Sequence, residues 1–320
     1  YLIACAYPDR IARHRHAGGF QLSNGRGASI PGNHALEKSR WLAVAEIGGI
    51  ARSKGDAIRS AATLDETLFE SLLSEQVKHN TIVEWDNKTK RFIAEERQQI
   101  GDLVLNRKKL SKVPAEAKKE ALIKHVQTSG LETLPFTTEI RQWQARVELV
   151  RANAGKQSWP DVSNARLLAS MNDWLGPYLE PVNLLSHFKK LDLKSIITAL
   201  LTWEQNQQLN ALAPQRLRVP SGSSYPIDYT ASPPVLAVKL QEMFGCIDTP
   251  AVLNGKIPLT VHLLSPAGRP LQITQDLTGF WQTSYQDVRK EMKGRYPKHP
   301  WPEDPLNAAP TRRTKPRRGS

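Results

Sequence analysis

The chain has 320 residues, 40% of them hydrophobic, and a net charge of +13, which allows two modest packed domains or one large domain with attachments. Its two cysteines, Cys5 and Cys246, exclude a disulfide scaffold and a cysteine-based zinc site and suit a reducing compartment such as the cytoplasm. No apolar run approaches the ~18 residues of a membrane helix, so bilayer insertion is not expected.

Residues 1–7 read as the last turns of a helix that Pro8 stops. The chain opens on Tyr1 inside this apolar stretch and so reads as a piece of a longer protein. Candidate strands follow at 10–16, at 20–30 after the Gly18-Gly19 turn, at 41–47 and at 56–62. The period then changes. Leu64, Leu68, Leu72, Leu73 and Val77 fall at helical steps and predict a helix over 65–79, with Thr63 and Glu66 as a capping box. A hairpin over 81–95 and a strand at 100–105 come next. Strands, one helix and a closing hairpin make the order of a five-stranded OB-type barrel, and this order places an OB-fold domain at 10–110.

Residues 111–214 read as a helical region. Predicted helices lie at 115–128, around Ile140, Trp143, Val147 and Val150, at 165–175 and at 192–212. The last of these carries Trp203, expected in the core. Residues 215–300 read as a mixed α/β domain. It has a hairpin around Ser221-Gly222-Ser223, a helix at 234–244, a hairpin at 259–274 and a last helix bearing Phe280, Trp281, Tyr285, Val288 and Met292. Residues 301–320 form a Pro/Arg-rich tail that should be disordered when unbound, with Trp301 exposed and available to pin it or to serve a partner. The fold class expected is therefore α+β and multidomain: an OB-type β-barrel, a helical region and a mixed C-terminal region with a disordered basic tail.

Charge is uneven along this plan. Ten basic residues against three acidic ones lie after residue 288. Arg10, Arg13, Arg15 and Arg26 form a second patch with no acid between Asp9 and Glu37. Clustered arginine attracts a phosphate backbone through released counterions and bidentate hydrogen bonds, while a basic surface also keeps a protein soluble. Catalytic constellations are missing. Gly155-Lys156 precedes Gln157 and Gly255-Lys256 precedes Ile257, so neither is a phosphate-cradling P-loop. No G-x-S-x-G elbow and no H-E-x-x-H zinc helix occurs, and the chain alone is expected to catalyse nothing.

Tyr7-Pro-Asp-Arg-Ile-Ala-Arg13, Gly19-Phe-Gln-Leu-Ser-Asn-Gly-Arg-Gly-Ala28 and Trp41-Leu-Ala-Val-Ala-Glu46 resemble the junction of ratchet and OB domains in DEAH-box ATP-dependent RNA helicases of the bacterial HrpB type. The resemblance continues through Trp174-Leu-x-Pro-Tyr178, Leu217-x-Val-Pro-Ser-Gly-Ser223 and Pro234-Val-Leu-Ala-Val-Lys-Leu-Gln-Glu-Met-Phe-Gly245. It ends with Leu263-Leu-Ser-Pro-Ala-Gly-Arg-Pro270, Asp276-Leu-x-Gly-Phe-Trp281 and Val288-Arg-Lys-Glu-x-x-Gly-Arg-Tyr-Pro-x-His-Pro-Trp-Pro-x-Asp-Pro305. It implies that residues 1–9 end a ratchet domain and that the whole chain is the C-terminal portion of such a helicase. It also implies upstream RecA-like motor domains that hold ATP and Mg, with no cofactor or metal in this chain. Single-stranded RNA would lie beside the OB domain.

On that footing the expected RNA contacts are Arg10, Arg13 and Arg15 on one strand face, and Ser23, Asn24 and Arg26 beside Gly25 and Gly27. The two glycines read first as barrel bulges. Arg312, Arg313, Lys315, Arg317 and Arg318 are expected to act as a loose electrostatic tether. An alternative of another class is a protein-docking scaffold on 111–300, which the near-neutral charge of the middle of the chain favours.

Overall fold

A computed structural model describes residues 1–16, 18–30, 34–49, 56–154 and 158–313. The chain forms two compact units, Tyr1–His125 with Leu179–Leu185, and Val126–Tyr178 with Ser186–Ser320. Among the described residues no helix is long and apolar enough to cross a membrane.

The first unit opens with the short helix α1 (Leu2–Ala6) and a 3-10 turn at Pro8–Arg10. Five strands then close a barrel: β1 (Ile11–His16), β2 (Gly19–Leu22), β3 (Gly27–Ser29), β4 (Trp41–Gly49) and β5 (Asp56–Thr63), in the order β1-β2-β3-β5-β4. The β3–β5 pairing is parallel and the others are antiparallel. Because side chains alternate across a strand, Ala12, Phe20, Leu22, Ala28, Leu42, Val44 and Ile58 fill the interior. Trp41 and Ala43, on the other face of β4, pack with Ala4, Phe69, Leu73, Ile100 and Leu103. The run Trp41–Val44 is thus apolar throughout because both of its faces are covered.

The hairpin expected to complete the barrel does not enter it. β6 (Lys78–Asp86), β7 (Arg91–Ile100) and β8 (Leu103–Lys109) form a separate three-stranded sheet. All five barrel strands lie before Leu64. The helix predicted over 65–79 is also absent, replaced by 3-10 turns at Glu66–Phe69 and Ser74–Gln76. Local hydrogen bonds compete with the helix there. The Asp65 carboxylate accepts from Thr67 N at 2.9 Å, and the Ser71 and Ser74 hydroxyls donate to the carbonyls of Thr67 and Ser71. Asp65, not Thr63, is the cap.

The residues expected to be helical form α2 (Ala115–Ser129), α3 (Thr138–Ala154) and a series of shorter pieces. These are α4 (Asn164–Ala169), α5 (Met171–Trp174), α6 (Leu185–Phe188), α7 (Leu193–Thr198) and α8 (Trp203–Leu212). The predicted helix over 192–212 breaks at 199–202 because Thr202 starts α8 afresh with a capping box to Gln205. This puts Trp203 in a first helical turn, where it is 72% exposed instead of lying in the core.

A five-stranded sheet follows, built from β9 (Arg216–Arg218), β10 (Ser224–Asp228), β11 (Val235–Lys239), β14 (Thr260–Leu264) and β15 (Pro270–Thr274), in the order β15-β14-β11-β10-β9. The small hairpin β12 (Ala251–Val252) and β13 (Ile257–Pro258) stands apart from it. The helix predicted at 234–244 is β11, a central strand parallel to β14, with a 3-10 turn at Leu240–Glu242. Pairing on both sides and full burial of Leu236 and Val238 override the helical reading.

Helices α9 (Leu277–Gln282) and α10 (Tyr285–Arg295) precede a strap. Residues 301–313, expected to be part of a disordered tail, are fastened along their length. Trp301 is 6% exposed, and its indole N–H donates to Tyr296 O at 3.0 Å. Tyr285 Oη donates to Pro302 O at 2.8 Å, Gly245 N to Pro305 O at 3.0 Å and Thr311 N to Gln241 O at 3.1 Å. Trp301→Ala is therefore expected to speed amide hydrogen exchange at Gly245 and Thr311 by about tenfold or more. Unchanged exchange in that variant would show that the strap does not hang on this side chain.

Candidate nucleic-acid interface

The barrel sets the directions of the predicted arginines. Ala12, Phe20, Leu22 and Ala28 point inward, so Arg13, Gln21 and Gly27 point outward. Register places Arg13 opposite Gln21 and Gln21 opposite Gly27, one row across three strands. Arg15 stands at the register shift between His14 and His16 and joins the row through its side chain, which donates to Gln21 Oε1 at 2.6 Å. A Cβ added at Gly27 would meet nothing within 4 Å, so the row ends in open surface. Arg26 is exposed beside it and pairs with Asp56 at 2.7 Å.

Other predicted residues have different tasks. Arg10 precedes β1, in the 3-10 turn, and so leaves the strand face. Its Nη1 donates to Ala45 O at 3.0 Å, and its guanidinium lies 4.6 Å from the Tyr7 ring centroid. Arg13 Nη1 donates to Val104 O at 2.7 Å, with its guanidinium 5.4 Å from the Trp41 ring. Ser23 is 3% exposed and offers nothing to solvent; its hydroxyl donates to Pro8 O and its carbonyl accepts from Asp102 N. Asn24 is exposed, and its side chain accepts from Arg26 N to hold the turn.

Gly25 sits in that turn at φ +86°, and Gly101 opposite it has φ +52°. A Cβ on Gly25 would come within 2.3 Å of Asp102 Oδ2, and one on Gly101 within 2.0 Å of Ser23 O. The glycine is a turn residue in a tight clasp between two loops, in place of the bulge expected. Arg312 and Arg313 are exposed but not loose: Gln241 Nε2 donates to the carbonyls of Thr311 and Arg313. Lys315, Arg317 and Arg318 lie outside the described residues.

Two features had no place in the expectations. Glu242, 3% exposed, accepts from Ser221 Oγ at 2.7 Å, from Ser223 Oγ and from Tyr225 Oη at 2.5 Å. Burial and this carboxylate together push the Tyr225 hydroxyl up to about 12. Arg146, 2% exposed, lines a cavity of about 360 Å³ in the second unit. The serines stand in the quoted 217–223 string, but nothing in their spacing discloses a buried carboxylate nearby.

Two family profiles match the chain. "ATP-dependent RNA helicase HrpB, connector region" covers residues 76–110, which hold the three-stranded sheet, and "ATP-dependent helicase C-terminal" covers residues 174–305. ATP-dependent RNA helicase HrpB of Escherichia coli (strain K12) is 40% identical over 316 residues, 98% of this chain and 39% of that protein. The crystal structure of E. coli DExH-box NTPase HrpB is similar at TM-score 0.62 and 39% identity, covering 98% of this chain and 39% of that one. A crystal structure of E. coli DEAH/RHA helicase HrpB gives TM-score 0.54 and 36% identity over 94% of this chain and 38% of that one. The chain spans about two fifths of the length of these relatives.

Proposed function

Since the chain belongs to the HrpB helicase family through its connector and C-terminal regions, we propose that it is an accessory region that grips single-stranded RNA beside an ATP-driven motor. ATP and its Mg belong to motor domains outside this chain, and the protein works in the cytoplasm. The barrel is read as OB-type, on the strength of its five closed strands and their order. The observation that carries the reading is the outward row Arg13–Gln21–Gly27, flanked by exposed Arg15 and Arg26. Arginines grip phosphates while the bare glycine lets a sugar–phosphate chain come close. Arg10 and Arg13 brace the surface, Asn24 shapes its turn, and Arg312 and Arg313 add positive charge on the second unit.

The test is fluorescence anisotropy with a labelled single-stranded RNA. Arg15→Gln with Arg26→Gln is expected to weaken binding about tenfold and to reduce the salt slope by about 2. Unchanged affinity in a folded double variant would sink the reading. A second reading, protein docking on 111–300, is favoured by Trp203, a bare indole on a firmly capped helix. In the same titration Trp203→Ala leaves RNA affinity unchanged if that residue serves a protein, and weakens it if the ring stacks on a base.

A further inference from the structure

Arg146 is a buried cation with an incomplete set of partners. It stands on α3, three residues after Trp143 and four before Val150, and therefore on the apolar stripe of the helix. Its Nε donates to Ala213 O at 2.6 Å, and its Nη2 donates to Asn210 Oδ1 at 2.8 Å and Leu209 O at 3.4 Å. These groups cap the end of α8, whose dipole offers about half a negative charge. No carboxylate pairs with Arg146 among the described residues. A buried charge with half a counter-charge is costly unless something else completes it.

The 360 Å³ cavity beside it has the size of a small-molecule site, which typically runs from ~300 to 1,000 Å³. Trp143, Ile197 and Leu209 give it apolar walls. Its other charges are Lys194, Glu139 and Arg216. Glu139 is taken by Lys194 at 2.6 Å, so the uncompensated balance is positive. Arg216 is exposed, and it donates through Nη2 to Ser224 O, which leaves Nη1 for a ligand. Two carboxamides are also available: Gln215 makes no side-chain hydrogen bond among the described residues, and Asn210 Nδ2 donates to none. Apolar walls, uncommitted amide donors and unneutralised arginines are the groups that hold a flat, acceptor-rich ring attached to an anion.

We propose that this cavity binds one ribonucleotide, its base between the Trp143 and Ile197 walls and its phosphate toward Arg216 and Arg146. The nucleotide comes either from an RNA strand or from free nucleoside monophosphate. The first source rests on the RNA reading above; the second does not.

The experiment titrates AMP, adenosine and a short single-stranded oligoribonucleotide into the full chain by calorimetry. AMP is expected to bind, and Thr198→Trp, which plugs the cavity from a half-buried lining position, is expected to abolish this. Arg216→Gln should weaken AMP about tenfold and leave adenosine unchanged. If Thr198→Trp also weakens the oligoribonucleotide, the source is a strand; if it does not, the source is the free nucleotide. Arg15→Gln with Arg26→Gln must leave AMP binding intact, which separates this site from the barrel row. Absence of AMP binding, or equal AMP binding by wild type and the plugged variant, overturns the proposal.

Discussion

Glu242→Ala is expected to lower the unfolding free energy of the second unit by about 3 kcal/mol, read from urea unfolding. The carboxylate is the common acceptor for Ser221, Ser223 and Tyr225, and its removal strands three partly buried hydroxyls at about 1 kcal/mol each. Glu242→Gln keeps one acceptor oxygen and should cost less. Burial pulls the Glu242 pKa up, but the hydroxyls of Ser223, Tyr225 and Ser221, helped by Lys239, outweigh it and hold the pKa below the ordinary glutamate value. The sign follows. A depressed carboxylate stabilises the fold fully above its unfolded pKa, and that share is lost as pH falls through the lower folded value. The wild type should therefore lose stability in acid more steeply than Glu242→Gln. Equal urea midpoints for wild type and Glu242→Ala would show that the cluster contributes nothing.

Trp41→Ala should cost the first unit about 3–5 kcal/mol, the range for truncating a buried aromatic. Trp41 belongs to the outer wall of the barrel, with Phe69 edge-on at 4.8 Å and Arg13 above the ring. Its indole nitrogen is buried without a hydrogen-bond partner among the described residues. Trp41→Phe removes that orphan donor while keeping one ring, so its cost, a smaller cavity, should stay below that of Trp41→Ala. A loss in Trp41→Phe equal to that in Trp41→Ala would show that the retained ring contributes nothing. The alanine variant also frees Arg13 from its stacking surface, so under the RNA reading proposed above its affinity for RNA should fall along with its stability.

The barrel was legible where alternation met a covered face. Strands β1, β4 and β5 follow directly from side-chain periodicity and from the apolar run at Trp41–Val44. The same logic failed at 66–76. Leu64, Phe69 and Leu73 are buried there while Leu72 is exposed, a pattern set by tertiary packing and not by a helical face. It failed again at β11, because an apolar run buried in a central strand has no period to tell it from a buried helix. Within the site, alternation was expected to put Arg10, Arg13 and Arg15 on one face; Arg10 lies in the turn before β1, and Arg15 meets Gln21, the cross-strand partner of Arg13, past a register shift that alternation does not foresee. It did not reveal that Arg13 is committed to Val104, 91 residues away, or that Ser23 is sealed under Asp102. For Arg146 a local signal did exist: a charge set into the apolar stripe of α3.

The first unit is not contiguous in sequence. Residues 179–185 return to it after more than fifty residues spent in the other unit. Phe92 N donates to Asn183 O at 2.9 Å, Leu185 N to Lys90 O at 3.2 Å, and Lys118 Nζ reaches Glu180 O at 2.6 Å. During synthesis, then, the first residues of β7, which precede its pairing with β8, wait for a segment that leaves the ribosome only after most of the helical excursion. A gene shortened to stop at His125 would encode every strand of the barrel and yet leave that seam unstitched.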